Sequence, residues 1–296
     1  MKFTAALAFT DPDQYLPLAK ACEDAGIWAV ACSDHVVHPR EINSPYPYTT
    51  DGSPRFPPQS PFVDPFVAMA AMGAVTERLR FFTNIYVLPL RHPLSVAKQL
   101  ASITSIIGNR VALGMGVGWM EEKFELMGAD FRTRGKRADE AVAIMRGLWD
   151  PEPEWFSFEG EHYRLPEIEM TPRISEPVPI YVGGISEFAY KRAARLGDGW
   201  ISDLMTSSEV ATSIERIEHW RAHFGTQDQP FEYVVSVSDV VNAEGFARLE
   251  DLGVTSVLTM PWVYTRGFTE ELYERLAGCL DRDVHFGVVE IDLFAD

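Results

Sequence analysis

Short apolar runs alternate with amphipathic stretches along nearly the whole chain. Residues 3–9 form the first apolar run. Residues 11–25 carry helical periodicity, with Asp11 as N-cap, Pro12 at the first helical position and Gly26 past the end. Residues 27–32 read as a second buried strand, and a helix over about 64–76 leads to a third strand at 79–87. A helix at 93–107 closes on Gly108, a fourth strand follows at 111–117, and 134–149 is amphipathic. The second half continues with strand patterns at 179–182, 199–202, 233–241 and 254–260, and helical ones at 187–196, 208–224, 243–252 and 269–280. Strands that are apolar throughout and separated by helices imply a parallel sheet covered on both faces. About eight such units in 296 residues predict an α/β fold, a (β/α)8 TIM barrel forming one domain over 1–296, rather than an open doubly wound sheet.

Two segments break the rhythm. Residues 37–65 hold Pro39, Pro45, Pro47, Pro54, Pro57, Pro58, Pro61 and Pro65, with Tyr46, Tyr48 and Phe56 among them. A loop of this length is unusual in a compact domain and predicts a lid. In 151–166 the aromatic alternation around Glu159-Gly160 predicts a β-hairpin with a structural role.

Charge narrows the partners. With 43 acidic against 26 basic residues the net charge is -17, which excludes nucleic acid and anionic membrane surfaces as expected partners. An anionic ligand must then be held by backbone dipoles and a few Arg or Lys side chains. The cysteines, Cys22, Cys32 and Cys279, are odd in number and lack metal-ligand spacing, which fits buried thiols in a reducing cytoplasm. The chain starts directly on a strand pattern with no leader-like segment, and its apolar runs are too short to span a bilayer, so a cytoplasmic protein is expected.

Candidate chemistry gathers at strand ends. Ser33-Asp34-His35 follows the second strand, and in a β/α barrel the C-terminal strand ends form the active face. By position alone it is equally an Asp-capped turn beside an exposed His. Gly114-Met115-Gly116-Val117-Gly118-Trp119 lacks the spacing of a dinucleotide fingerprint; its small residues admit either a flat ligand against the backbone or tight barrel packing. Gly183-Gly184-Ile185-Ser186 joins a strand to a helix that Ser186 caps, which is either an anion site at a helix N-terminus or an ordinary turn. Polar Asn84 inside an apolar strand is a local conflict of the kind found at sites. Arg91 and His92 are substrate contacts or residues that start the next helix. Metal chemistry is not supported. Asp34, His35 and His38 have no completing ligands at later strand ends, and His219 with His223 lack the zincin glutamate and read as a solvated helix face.

In this order and spacing the motifs resemble the luciferase-like monooxygenase superfamily, flavin and deazaflavin enzymes on a TIM barrel. The resemblance covers nearly the whole chain. It rests on Ser33-Asp34-His35, residues 88–93, residues 109–119, Arg134-Gly135-Lys136-Arg137, residues 179–186 and Gly197-Asp198-Gly199-Trp200. Ser-Asp-His is similar to the branch that uses coenzyme F420. That resemblance implies that Asp34 contacts the deazaflavin and that His35 lies beside the reacting carbon as general acid or base, an imidazole titrating near working pH. It also implies a non-proline cis peptide at Asn84–Ile85 behind the ring, with Thr83, Gly116, Gly118 and Trp119 nearby, and a phosphate on Gly183, Gly184 and Ile185. The implied reaction is hydride transfer between F420 and a small organic substrate, by a homodimer. FMN, with reduced flavin and oxygen, is the alternative cofactor. Two departures stand out. The deazaflavin-dependent sugar-phosphate and alcohol dehydrogenases have a Trp a few residues after the His, where this chain has Pro39, and a Glu directly after the Gly-rich strand, where it has Trp119. Glu121 or Glu122 is the candidate substitute for that carboxylate.

Overall fold

A computed structural model describes residues 1–152 and 154–260; the helix expected at 269–280 and Cys279 lie outside these residues. The strands are β1 (Lys2–Ala6), β2 (Ala29–Cys32), β3 (Arg80–Thr83), β4 (Tyr86–Val87), β5 (Val111–Gly116), β6 (Phe156–Glu159), β7 (Arg164–Ile168), β8 (Ile180–Gly183), β9 (Gly199–Met205), β10 (Glu232–Val237) and β11 (Ser256–Thr259). The helices are α1 (Tyr15–Asp24), α2 (Pro65–Gly73), α3 (Pro93–Ile107), α4 (Glu121–Leu126), α5 (Arg134–Trp149), α6 (Glu187–Leu196), α7 (Ser207–Phe224) and α8 (Ala243–Asp251). Parallel pairing runs β3-β2-β1-β11-β10-β9-β8-β5, and β3 pairs with β5 to close an eight-stranded barrel. β4 continues the line of β3 alongside β5. The predicted TIM barrel is therefore the observed fold.

Alternation within each strand sorts residues into two cores. In β2, Val30 and Cys32 face the helical layer while Ala29 and Ala31 face the barrel axis. The same division places Phe81 outside and Phe82 inside. Because both faces are buried, the strands read as continuous apolar runs. The axis is filled by small residues, Ala6, Ala29, Ala31 and Ala112, around Phe82, Tyr181 and Ile201.

Punctuation residues fix the helix ends. Asp64 caps α2 by accepting from the N–H groups of Phe66 and Val67, and Pro65 occupies its first position. The helices expected at 93–107, 134–149 and 187–196 have those bounds. The first helix differs: Pro12–Gln14 is a 3-10 turn, and α1 starts at Tyr15 because Asp11 makes no side-chain cap. The expected third strand is two pieces, β3 and β4, separated at Asn84–Ile85. The 156–168 hairpin docks on α5. Phe156 fills the space a Cβ at Gly147 would take, and Glu140 accepts from the N–H groups of Glu161, His162 and Tyr163.

The lower rim of the barrel, at the N-terminal strand ends, is stitched by half-buried charged side chains. Arg110 donates to the carbonyls of Gly73, Leu79 and Ile107 and to the Thr76 hydroxyl. Glu23 accepts from the N–H groups of Glu77, Arg78 and Leu79. None of these residues lines the cavity at the opposite end.

Candidate active site

The C-terminal strand ends open into a cavity of about 1230 Å³. Ligand pockets usually hold about 300–1000 Å³, so this one has room for a tricyclic cofactor and a substrate together. Of the residues expected at the site, Asp34, His35, Asn84, Ile85, Gly116, Gly118, Trp119, Gly183, Gly184 and Ile185 all line it. Thr83 does not. It is fully buried in the barrel wall, where its hydroxyl donates to the Gly114 carbonyl at 2.6 Å.

The floor is built around Ile85. The Asn84–Ile85 peptide is cis, as the resemblance implied. The Ile85 side chain lies where Cβ atoms at two glycines would be: 2.2 Å from the Gly116 position and 2.7 Å from that of Gly183. Glycines at 116 and 183 are therefore required by Ile85, and the tight-packing reading of the Gly-rich strand holds at Gly116. It holds again at Gly114, whose Cβ would fall 1.8 Å from the Thr83 carbonyl oxygen.

Asp34, at the end of β2, is buried (5% exposed). Its carboxylate binds Arg91 in bidentate fashion, at 2.6 and 2.7 Å, and accepts from the Val87 N–H at 2.9 Å. Arg91 also lies over the Tyr86 ring, 4.2 Å from its centroid. This fork ties β2 to the segment after β3 and fixes the base of His35. Bidentate Arg–carboxylate geometry is strong and directional. Arg91 is thus the partner of Asp34. His92 starts a helix: its Nδ1 caps α3 by accepting from the Leu94 N–H.

His35 projects between two lid phenylalanines, Phe56 and Phe62, each with ring centroids 4.4 Å away. Its Nδ1 lies 2.5 Å from the Lys123 ammonium. Burial, and then the neighbouring Lys123 and His38, push the imidazole down to about 3. The expectation of an imidazole that titrates near working pH therefore does not hold: His35 is neutral. An ammonium only donates, so Nδ1 is the acceptor and the proton of the ring sits on Nε2. Lys123 itself is 4% exposed, and burial, with Arg91 adding and Asp34 opposing, brings it down to about 8.

Sequence reasoning looked for a carboxylate partner and missed Lys123. Glu122 is not that partner. It accepts from the N–H groups of Asn43 and Ser44 and from the Ser44 hydroxyl, pinning the lid to α4. A second post holds the lid to β9, where Arg55 pairs with Asp203 at 3.0 Å while donating to the Tyr48 carbonyl. Trp119 packs edge-on against Tyr46 of the lid, with centroids 5.1 Å apart, so it serves as a wall where a carboxylate was expected.

At the end of β8, Gly184 adopts φ +121, a conformation suited to glycine, and its carbonyl accepts from the Trp200 indole N–H at 2.8 Å. Ser186 caps α6 by accepting from the Ala189 N–H, leaving the first-turn N–H groups of Glu187 and Phe188 without an intrahelical partner. Arg132, Arg134 and Arg192 line the same side. Arg192 is tied to Asp139, and Arg134 donates to the carbonyls of Gly118 and Phe131. This is the cavity's positively polarised region in an otherwise acidic protein.

Other features stay outside the chemistry. His219 and His223 are exposed on α7, and no group of metal-ligating side chains occurs among the described residues. Cys22 and Cys32 are buried free thiols that burial pushes up to about 12. No helix among the described residues is long and apolar enough to cross a membrane.

Comparison with known proteins agrees with this geometry. The sequence model described as luciferase-like monooxygenase matches residues 4–270. An uncharacterised protein of Mycobacterium tuberculosis is 45% identical over 258 residues, 87% of this chain and 88% of its own. An F420-dependent glucose-6-phosphate dehydrogenase of Nakamurella multipartita is 31% identical over 194 residues, 64% of this chain and 52% of its own. Among solved structures, the coenzyme F420-dependent tetrahydromethanopterin reductase of Methanopyrus kandleri superposes with a TM-score of 0.72 at 15% identity, covering 94% of this chain and 97% of its own. At that identity the likeness is one of fold.

Proposed function

Because the chain belongs to the luciferase-like monooxygenase family, whose members are oxidoreductases and monooxygenases, we propose that it moves a hydride between coenzyme F420 and a small organic substrate at the barrel mouth. The observation that carries this reading is His35: a neutral imidazole, held by Asp34's fork from below and by Lys123 from behind, facing a cavity large enough for cofactor and substrate. Hydride arriving at an electrophilic carbon leaves negative charge on the adjoining atom. A fixed N–H donor placed there neutralises it.

The residues present fit the cofactor. Ile85 offers a smooth apolar floor, and Gly183, Gly184, Ile185 and the α6 N-terminus would hold an anionic tail beside Arg132 and Arg192. When bound, the deazaflavin supplies or accepts the hydride. The protein's own groups then position and exclude. The Asp34–Arg91 fork fixes the backbone that carries His35, Phe56 and Phe62 keep water from its ring, and His35 Nε2 exchanges the proton with the substrate. The F420-dependent dehydrogenase relative supports this choice of cofactor. The two departures from the dehydrogenase pattern, Pro39 and Trp119, argue against a sugar phosphate as the substrate.

Titration of the apoprotein with F420 and, separately, with FMN tests the reading. Micromolar affinity for F420 is expected; micromolar FMN binding with no F420 binding overturns it in favour of a flavin monooxygenase. His35→Ala is expected to keep cofactor affinity within about threefold and to lose about 100-fold or more in turnover.

A further inference from the structure

We propose that Lys123 is the positioning and proton-supplying partner of His35: it fixes the imidazole as the Nε2–H tautomer and replaces the proton that Nε2 gives to substrate. This rests on the hydride-transfer reading above.

The contact is built rather than incidental. Lys123 sits on the short helix α4, 88 residues along the chain from His35, and reaches beneath the lid to Nδ1 at 2.5 Å. The facing charged and titratable groups are His35 and His38 of the loop after β2, Asp34 at the end of β2, and Arg91 ahead of α3. Asp34 has both oxygens on Arg91, so it supports the ammonium at a distance without taking its hydrogen bond. Lysine is almost never buried without a partner. Here the partner is a neutral ring, an arrangement that stabilises the ammonium less than a carboxylate does and leaves its proton available.

Chemistry requires such a reserve. A neutral imidazole that gives up its Nε2 proton alone would become an imidazolate anion in an apolar slot, which is strongly unfavourable. In the reducing direction, a hydride with its electron pair, which a bound reduced deazaflavin would supply, adds to a carbonyl carbon, and the C=O π pair moves to oxygen. The oxygen takes the proton from Nε2, and Nδ1 takes a proton from Lys123 Nζ. The products are an alcohol, the oxidised cofactor, a neutral imidazole protonated on Nδ1 and a neutral lysine amine; the pair resets when solvent protonates Nε2 and Nδ1 returns its proton to the amine. Oxidation runs the same transfers in reverse. Burial places Lys123 near 8, where an ammonium can yield a proton close to neutral pH.

Nitrogen NMR of the apoprotein labelled in histidine decides the tautomer without any cofactor, with the His35 signals assigned by their loss in His35→Asn. The wild-type ring should remain neutral with the proton on Nε2 from pH 5 to 7.5. In Lys123→Met it should lose that preference and show both tautomers. An Nδ1–H ring or an ordinary titration near 6.5 in the wild type overturns the proposal, as does an identical spectrum in Lys123→Met. Lys123→Gln separates holding from supplying, because its amide still donates to Nδ1 but cannot release a proton. It should keep the tautomer, remain folded by thermal unfolding, and lose about 100-fold in turnover together with the fall in rate above about pH 8. Turnover within threefold of wild type in Lys123→Gln overturns the supply step. A failure of F420 to bind sinks the functional reading and the supply step with it, while the tautomer assignment stands or falls on the NMR result by itself.

Discussion

At the scale of single residues, the cavity floor depends on what glycine lacks. Ile85 fills space that side chains at 116 and 183 would claim, so Gly183→Ala drives a methyl group to 2.7 Å from Ile85 Cγ2. Overpacking of this kind costs about 1–3 kcal/mol. The double variant Ile85→Ala with Gly183→Ala is expected to recover part of that loss, giving a non-zero coupling in a thermal-unfolding cycle. Strict additivity would show that the two side chains do not compete. The sequence displayed these glycines and marked Asn84 as a conflict, but not their common cause, because nothing local says that residues 85, 116 and 183 meet. Lys123 was illegible for the same reason. In the run Glu121-Glu122-Lys123-Phe124-Glu125 it reads as a surface lysine, and its one signal was adjacency to a buried phenylalanine on a helix too short to show a face.

Among elements, legibility followed punctuation. The helices at 93–107 and 187–196 were bounded in advance because Pro93, Gly108 and the Ser186 cap mark breaks that any tertiary context respects. The third strand was read as one run because its interruption is a peptide geometry rather than a breaker residue. Residues 37–65 were legible as a long irregular loop from proline density, yet their fastening was not, since both posts are long-range pairs. Glu122 receives three hydrogen bonds from Asn43 and Ser44, and bonds to a charged group contribute about 1.5–3 kcal/mol each when well formed. Glu122→Ala should therefore raise the rate of limited proteolysis within 37–65 by about tenfold while leaving the barrel's melting temperature nearly unchanged. Unaltered cleavage would place the lid's anchorage elsewhere, at Arg55 and Asp203.

For the molecule as a whole, the site has a stability cost that pH exposes. His35 titrates at about 3 when folded, against an ordinary value near 6.5. Between those values the unfolded chain binds a proton that the native state refuses, so stability rises with pH there and is lost as pH falls from 6.5 towards 3. The urea midpoint of the wild type should drop more steeply between pH 6.5 and 4 than that of His35→Phe. Equal slopes would mean that the ring is not held neutral. Lys123 acts at the other end of the scale: with a folded value of about 8 against an ordinary 10.5, it lets stability rise with pH between the two. Both groups thus bind their protons less tightly in this fold than free side chains do, a pattern that marks functional sites.

The stitched lower rim gives this barrel a division of inheritance. Arg110 and Glu23 tie loop to helix end at the pole farthest from the cavity. A lineage can therefore rewrite lid, rim arginines and cavity walls, trying one substrate after another, while the opposite pole keeps every descendant folded. The residues that make such exploration survivable are ones that never meet a ligand.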